Sequence, residues 1–449
     1  MPFTNLMKRM LFVFSAILFL YGALGYLITG VMAAKSAADQ KSLPVPSSAA
    51  QKLYSSAQND LLQLRVLLRN GRAQHSVGSG FLIGTSNLVV TNYHVVSQIA
   101  LEPEKYFGEF VDTHGQRDTI QMLALDILHD LAVVRINRVG NGFFNVPDKL
   151  PKLTQGQYLY SLGNPLDLGF AISEGSYNGI IKRGFYEQLM FTGPINAGMS
   201  GGPSVTVDGR LAGVNVSKRL DGELVSFLVP VRYVQELLKN VTAQQTLPQD
   251  FREILGQQLL AHQAVMVDRL LDGPLTIKAL GPYQVPVRES DQMRCWGRSN
   301  DKQDNLYTRD QMNCAMESAI FVSDQLRTSQ MSISHVFTRS SELGALRFSE
   351  LTANSFKREF FGSHKDRRLT GPACTEQFVN NKNLPMRAVI CVRAYRKFAE
   401  RYDFAVLTST TDESLMNLQS RLDIKGVSYE NGLRVSRIFL ESIGREKKP

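Results

Sequence analysis

The sequence predicts a mainly β central region, preceded by a membrane-spanning helix and followed by an α+β C-terminal domain of unknown fold. Three observations lead there. Residues 10–34 carry no charged side chain, short apolar runs separated by turn residues fill the stretch from about 73 to 240, and strand-like and helical runs mix after residue 274. At 449 residues the chain is too long for one compact domain. Its 43% hydrophobic and 20% charged residues exclude a disordered, collagenous or coiled-coil chain.

A helix over residues 10–34 would be about 37 Å long at 1.5 Å per residue. That spans a hydrocarbon core of about 30 Å with some tilt. Lys8 and Arg9 precede it, which keeps the short N-terminus cytoplasmic and places the rest of the chain on the exported side. The expected location is a bacterial inner membrane, with the downstream domains facing the periplasm. A cleaved signal peptide is the rival reading, since Val31, Met32 and Ala33 offer small residues near a cleavage point. In that case the product would be soluble, periplasmic or secreted. The apolar stretch exceeds a signal core of roughly 7–15 residues, which favours an anchor over residues 1–34.

Residues 35–50 are small, polar and Pro-containing and read as a linker. Leu53, Ala57, Leu61, Leu64, Leu67 and Leu68 then recur at near-helical spacing up to Asn70-Gly71. They predict an amphipathic helix, so 35–72 is read as linker and helix. The runs SGFLIG, NLVVTN, LAVVRI, YLYSLG, LAGVNV and VSFLVPV predict an all-β sandwich or barrel over 73–243, with a helix at about 231–240. Residues 244–273 form a connecting helix that starts near Pro248 and Asp250 and ends at Asp272-Gly273.

The remainder, 274–449, holds all four cysteines: Cys295, Cys314, Cys374 and Cys391. An even count in an exported segment predicts two disulfides. Three pairings are open, and loop length favours the local ones. A zinc site is the rival, but the spacing is not of the C-x-x-C type, so no metal is expected. The net charge of +9 permits contact with anionic headgroups or nucleic acid. Lys and Arg are scattered and no zinc finger or RNA-recognition motif is present, so no nucleic-acid partner is expected.

Three short motifs carry chemistry. His94 lies in TNYHVV (91–96) at the end of an apolar strand. Asp130 lies in HDLAVVRI (129–136), just before a strand. Ser200 lies in NAGMSGGP (196–203), a glycine-dense loop. A serine hydroxyl is a poor nucleophile until a base takes its proton; a histidine can do so near neutral pH, and a carboxylate fixes its tautomer. Glycines around the serine let backbone N–H groups converge on a developing oxyanion.

Together these segments resemble the trypsin-like serine proteases of the Deg/HtrA type. That family has a TN-x-HVV segment, a D-[IL]-A segment and a G-x-SGG loop. Here Ser79-Gly80-Phe81, Leu162-Gly163-Asn164-Pro165 and Asp208-Gly209-Arg210-Leu211-Ala212-Gly213-Val214-Asn215 also look like family segments. The resemblance covers about 75–238. It implies a chymotrypsin-like double β-barrel, and a serine endopeptidase needing no cofactor and acting on protein or peptide substrates. It assigns the catalytic roles to His94, Asp130 and Ser200, and the oxyanion donors to Gly198, Met199 and Ser200. By the same likeness Val214, Asn215 and Val216 would bind substrate; with no acidic pocket residue, a small or medium apolar side chain is expected before the cut. The order His–Asp–Ser fits chymotrypsin-like enzymes. The loop also satisfies G-x-S-x-G, but a β-run follows it where an esterase elbow needs a helix.

Asp126 competes with Asp130 as the orienting carboxylate, but Asp130 has the matching LAVV context. His129 reads as a surface residue, and His75, His114, His262, His335 and His364 as structural or solvated. Where many family members have Asn this chain has Met199, and no G-L-G-F-type loop follows residue 240. PDZ regulation is therefore not carried over, and any partner of the C-terminal domain is unknown. The alternative function is a catalytically silent protease-fold module acting as an envelope chaperone or sensor.

Overall fold

A computed structural model describes residues 47–218, 224–243, 248, 250–300, 306–356 and 367–445. The expected anchor, 10–34, lies outside these residues. Among the described residues no helix is long and apolar enough to cross a membrane. The chain divides into two units, residues 1–51 and residues 52–449. Helix α1 (Ser48–Ala57) contains the boundary, and every later element lies in the second unit.

The segment read as a helix up to Asn70 is only partly one. After α1 and a single 3-10 turn, Leu61–Leu68 is strand β1. The leucine spacing suits either form, but the tertiary partners decide. β1 pairs on one edge with β2 (Gln74–Leu82) and on the other with β4 (Tyr106–Asp112), Leu64 lying opposite Gly78 and Phe110. A strand hydrogen-bonded on both edges closes a barrel, which a local helical preference of a few tenths of a kcal/mol per residue cannot outweigh.

With β3 (Leu88–Thr91), β5 (Arg117–Asp126) and β6 (Leu131–Arg135), these strands form a closed six-stranded barrel in the order β1-β2-β3-β6-β5-β4. Helix α2 (Tyr93–Leu101) follows β3. A second closed barrel of six strands has the order β10-β11-β12-β9-β8-β7. Its strands are β7 (Tyr158–Gly163), β8 (Ala171–Ile181), β9 (Gln188–Phe191), β10 (Pro203–Thr206), β11 (Leu211–Lys218) and β12 (Ser226–Pro230). The predicted barrel-or-sandwich pattern is thus two barrels, followed by helix α3 (Val231–Ala243).

Helix α4 (Phe251–Leu270) begins where the sequence indicated, with Asp250 accepting a hydrogen bond from the Arg252 N–H at 2.8 Å. Its buried stripe joins two cores. Leu255 and Leu259 pack with the first barrel, whereas Met266, Val267 and Leu270 pack with the C-terminal sheet. Gln258 ties the helix to the end of β5, donating to Leu125 O at 3.0 Å and accepting from Ile127 N–H at 2.9 Å.

Beyond α4, β13 (Thr276–Leu280) and β14 (Tyr283–Val287) make a small sheet with β24 (Gly444–Arg445). The main C-terminal element is a seven-stranded antiparallel sheet. In spatial order it runs β15 (Met293–Ser299), β16 (Thr308–Met316), β19 (Met331–Arg339), β23 (Met416–Val427), β22 (Tyr402–Thr410), β21 (Leu384–Ala394) and β20 (Ala373–Asn381). Between β16 and β19 a separate hairpin forms from β17 (Ile320–Ser323) and β18 (Leu326–Thr328). Helices α5 (Ala345–Ser355) and α6 (Tyr429–Glu441) complete the domain, with Val435 and Phe439 of α6 in the core of the large sheet.

The disulfides are the local ones, Cys295–Cys314 and Cys374–Cys391. Each joins residues directly opposite in register, β15 to β16 and β20 to β21. Each bridge therefore staples one edge strand of the sheet to its neighbour, where pairing on a single side leaves a strand least secured.

Candidate active site

His94 does not end a strand; it sits in the first turn of α2, directly after β3. Asp130 sits immediately before β6, which pairs with β3. The pairing brings the two residues together. The His94 Nδ1 lies 2.6 Å from Asp130 Oδ2, and the His94 backbone N–H donates to Oδ1 at 2.8 Å. The carboxylate thereby serves the imidazole and an otherwise open N–H of the helix start. The Asp130 carbonyl accepts from Asn92 Nδ2 at 2.8 Å and from Tyr93 N–H at 3.1 Å. These contacts hold Asp130 at a φ of +56°, an uncommon backbone for a residue with a side chain.

Burial of the His94 ring works against its protonation. The charge and hydrogen bond of Asp130, with a further contribution from Asp324, outweigh this and raise its pKa above the ordinary histidine value; Arg327 opposes them. Asp126 does not compete. Its carboxylate bonds His129 Nδ1 at 2.6 Å. His129 is not a surface residue: its ring is mostly buried and stacks on Tyr233 with centroids 3.6 Å apart.

The serine loop is clamped by the first barrel. Ser79 N–H donates to Ser200 O at 2.7 Å, and Ser79 Oγ–H donates to Gly198 O at 2.7 Å. From the second barrel, in the turn after β7, Leu166 N–H donates to Ala197 O at 2.7 Å. Glycine is required at two positions. Gly198 has φ +91°, and a Cβ there would lie 2.4 Å from Asn164 O; Gly201 has φ +85°, and a Cβ would meet Ser79 O at 2.2 Å. Ser200 Oγ–H donates to Val216 O at 3.1 Å.

Residues 78–214 match the trypsin-like peptidase domain family. A DegP-like periplasmic serine endoprotease of Buchnera aphidicola is 26% identical over 243 residues, half of this chain (50%) and 51% of its own. The human serine protease HTRA4 is 29% identical over 198 residues, covering 41% of this chain and 39% of its own. Residues 78–214 are thus similar to a trypsin-like peptidase domain, and the relatives that share this part of the chain are serine proteases of the Deg/HtrA type. The chain spans about half the length of the first of these relatives and less of the second. The crystal structure of the serine endoprotease from Yersinia pestis aligns with a TM-score of 0.36 at 23% identity, over 44% of this chain and 67% of its own.

Within the peptidase domain, three expected site residues take other roles. The Met199 N–H is turned inward to Asn196 O at 3.0 Å, so it is not available to an oxyanion. The Gly198 and Ser200 N–H groups have no hydrogen-bond partner among the described residues. Val214 is fully buried. Asn215 is too, and its carboxamide is saturated. Its oxygen accepts from Ser161 Oγ at 2.5 Å and Ser204 Oγ at 2.8 Å, while Nδ2 donates to Leu162 O at 2.9 Å and Met199 O at 3.2 Å. Asn215 is a strut under the serine loop, not a substrate contact. Of that trio only Val216 lines the cleft.

The cleft has a wall that the motifs did not announce. A cavity of about 310 Å³ is lined by His94, Asp130 and Val216, and also by Ala319, Ile320, Phe321 and Arg327 of the β17–β18 region. The Phe321 ring meets the His94 ring edge-on, with centroids 5.9 Å apart. Tyr93, next to His94, donates its buried hydroxyl to Val322 O at 2.9 Å. The missed signal is the apolar run AIFV (319–322), which reads as one more strand until its neighbour is known. Among the described residues no cluster of His, Cys, Asp and Glu could hold a metal ion.

Proposed function

We propose that the chain is a serine endopeptidase that hydrolyses peptide bonds in exported or envelope proteins. The observation that carries this is the 2.6 Å His94–Asp130 bond in the cleft that Val216 lines, with the Ser200 hydroxyl held on the Val216 carbonyl. No Ser200–His94 hydrogen bond is present among the described residues; in this reading the Ser200 hydroxyl leaves Val216 O for His94 Nε2 when substrate binds. Such contacts are commonly loose without substrate and tighten in the complex. Ser200 Oγ then attacks the scissile carbonyl as His94 takes its proton. The Gly198 and Ser200 N–H groups face the oxyanion, and His94 returns the proton to the leaving amine. Water repeats the sequence on the acyl-enzyme. Val216 and its apolar surroundings support a small or medium apolar residue before the cut.

Labelling with a fluorophosphonate probe tests the reading. Modification is expected at Ser200 and lost in Ser200→Ala, together with casein hydrolysis; equal hydrolysis by the variant would refute the assignment. The His94 base must be neutral to act. Its raised pKa therefore sets the acid limb of kcat/KM above the ordinary histidine range, with activity appearing as pH rises through that value.

Residues 73–243 form the peptidase domain in this reading and 274–449 the disulfide-bearing domain. We place both on the exported side, anchored by residues 10–34. Two disulfides support an oxidising compartment. Carbonate extraction of the full chain and of a chain lacking residues 1–34 distinguishes anchor from soluble protein.

A further inference from the structure

Resting on that peptidase reading, we propose that Arg327, on the β17–β18 hairpin of the C-terminal domain, is a specificity-determining residue that holds an acidic side chain of the substrate beside the scissile bond.

The hairpin is built as a fixed wall of the cleft. Val322 and Leu326 are buried in one core with Tyr93, whose hydroxyl also bonds Val322 O. Near the hairpin turn, Asp324 Oδ2 lies 3.4 Å from His75 Nε2 of β2. At the root, Thr328 Oγ1–H donates to Tyr395 OH at 2.6 Å, and Tyr395 OH donates to the buried Asp403 at 2.8 Å. Satisfied buried networks of this kind are rigid, so a side chain mounted on them is presented in a defined place.

From this wall Arg327 reaches the reacting groups. It is exposed, and it lines both the cavity that contains His94 and an adjoining cleft of about 880 Å³. Its guanidinium lies 5.6 Å from the centroid of Phe321, the ring that abuts His94. Stacking on an aromatic face leaves the planar N–H fork free to grip a carboxylate.

Among the described residues the cleft offers that fork no internal partner. Among the described residues three carboxylates line the two cavities, and each is engaged elsewhere: Asp130 with His94, Glu187 with Arg232, and Glu317 with Arg294. Among the described residues Arg327 has no ion pair. Arg183, which lines the larger cleft, has none either. Two unpaired cations in one groove select for negative charge in the chain that occupies it, and repel positive charge. Arg327 also opposes protonation of His94, so a bound substrate carboxylate would offset its charge there.

The test uses the full chain and matched peptides that carry Glu, Gln or Lys at each of the positions flanking the scissile bond. For the native protein kcat/KM should favour Glu over Gln by about fivefold to tenfold at one position, an effect of the size of a charge-assisted contact in a partly open cleft. In Arg327→Gln the Glu-to-Gln ratio at that position should fall to near one. In Arg327→Glu the preference should move to Lys, which a merely unfolded variant could not do. An unchanged ratio in both variants, or no acidic preference in a protein that labels at Ser200, overturns this inference and leaves the peptidase reading standing. A native protein that neither labels nor cleaves any peptide overturns both.

Discussion

The two barrels hold their shares of the site by different means. Around His94 and Asp130, the first barrel is one limb of a large apolar core. That core takes in Leu255 and Leu259 of α4 and Ile320, Val322 and Leu326 of the hairpin. The second barrel has an apolar core of its own, with residues such as Leu159, Phe191 and Leu228. Its serine loop is fixed instead by the Asn215 carboxamide, by Ser79 and by glycines in the left-handed region. The base is positioned by burial and a charge pair, the nucleophile by directional hydrogen bonds and backbone conformation. Packing tolerates small shifts by repacking, whereas a satisfied polar network loses a whole contact when one partner goes.

The contrast should be broken most severely at Gly198. In Gly198→Ala the added Cβ meets Asn164 O, and the peptide must turn to relieve it, taking an N–H away from the oxyanion. We expect kcat to fall by about 10²–10³-fold, the usual cost of one oxyanion donor. Steady-state kinetics with circular dichroism of the variant would check this; full activity would show that the Gly198 N–H has no part in the reaction.

Asn215→Ala should come next. It takes the acceptor from two buried hydroxyls, Ser161 and Ser204, and the side-chain donor from the Leu162 and Met199 carbonyls, of which Met199 O keeps the Gly202 N–H. The expected loss is about 3 kcal/mol, since each orphaned buried group costs roughly 1–3 kcal/mol and the hydroxyls can re-aim. Denaturant titration would measure it. A stability change below about 0.5 kcal/mol, within the range of neutral surface substitutions, would contradict the strut role.

The smallest effect sharpens the comparison from the other side. Tyr93→Phe removes a single hydrogen bond between α2 and the hairpin while keeping the ring in its core. Stability should drop by only about 1–2 kcal/mol, with fluorophosphonate labelling of Ser200 nearly retained. Loss of labelling comparable to that of Gly198→Ala would mean that the apolar side of the site is as brittle as the polar one.

Much of this was legible in the sequence, unevenly. The short apolar runs between turns anticipated the barrels because strand patterning and turn chemistry are local. Asp250 marked the start of α4 for the same reason. The local cysteine pairs follow from hairpin neighbours lying close in the chain. The reading failed where one pattern serves two structures. The leucines of 61–68 fit a helix face as well as a doubly buried strand. It also failed where a residue type says nothing of its direction. Asn215 looked like a pocket contact, yet faces inward.

The sequence by itself determined the residue types at His94, Asp130 and Ser200, their order, and the glycines that the serine loop needs, since these are properties of short segments. Tertiary structure alone decided three other things. It made Leu61–Leu68 a strand, it turned the Met199 N–H into the loop, and it set Phe321 and Arg327 beside His94 from more than two hundred residues away. The reason is physical. Local preferences amount to tenths of a kcal/mol per residue, whereas closing a barrel or joining two cores buries whole side chains at roughly 1.5–3 kcal/mol each, so contacts distant in the chain override the local signal.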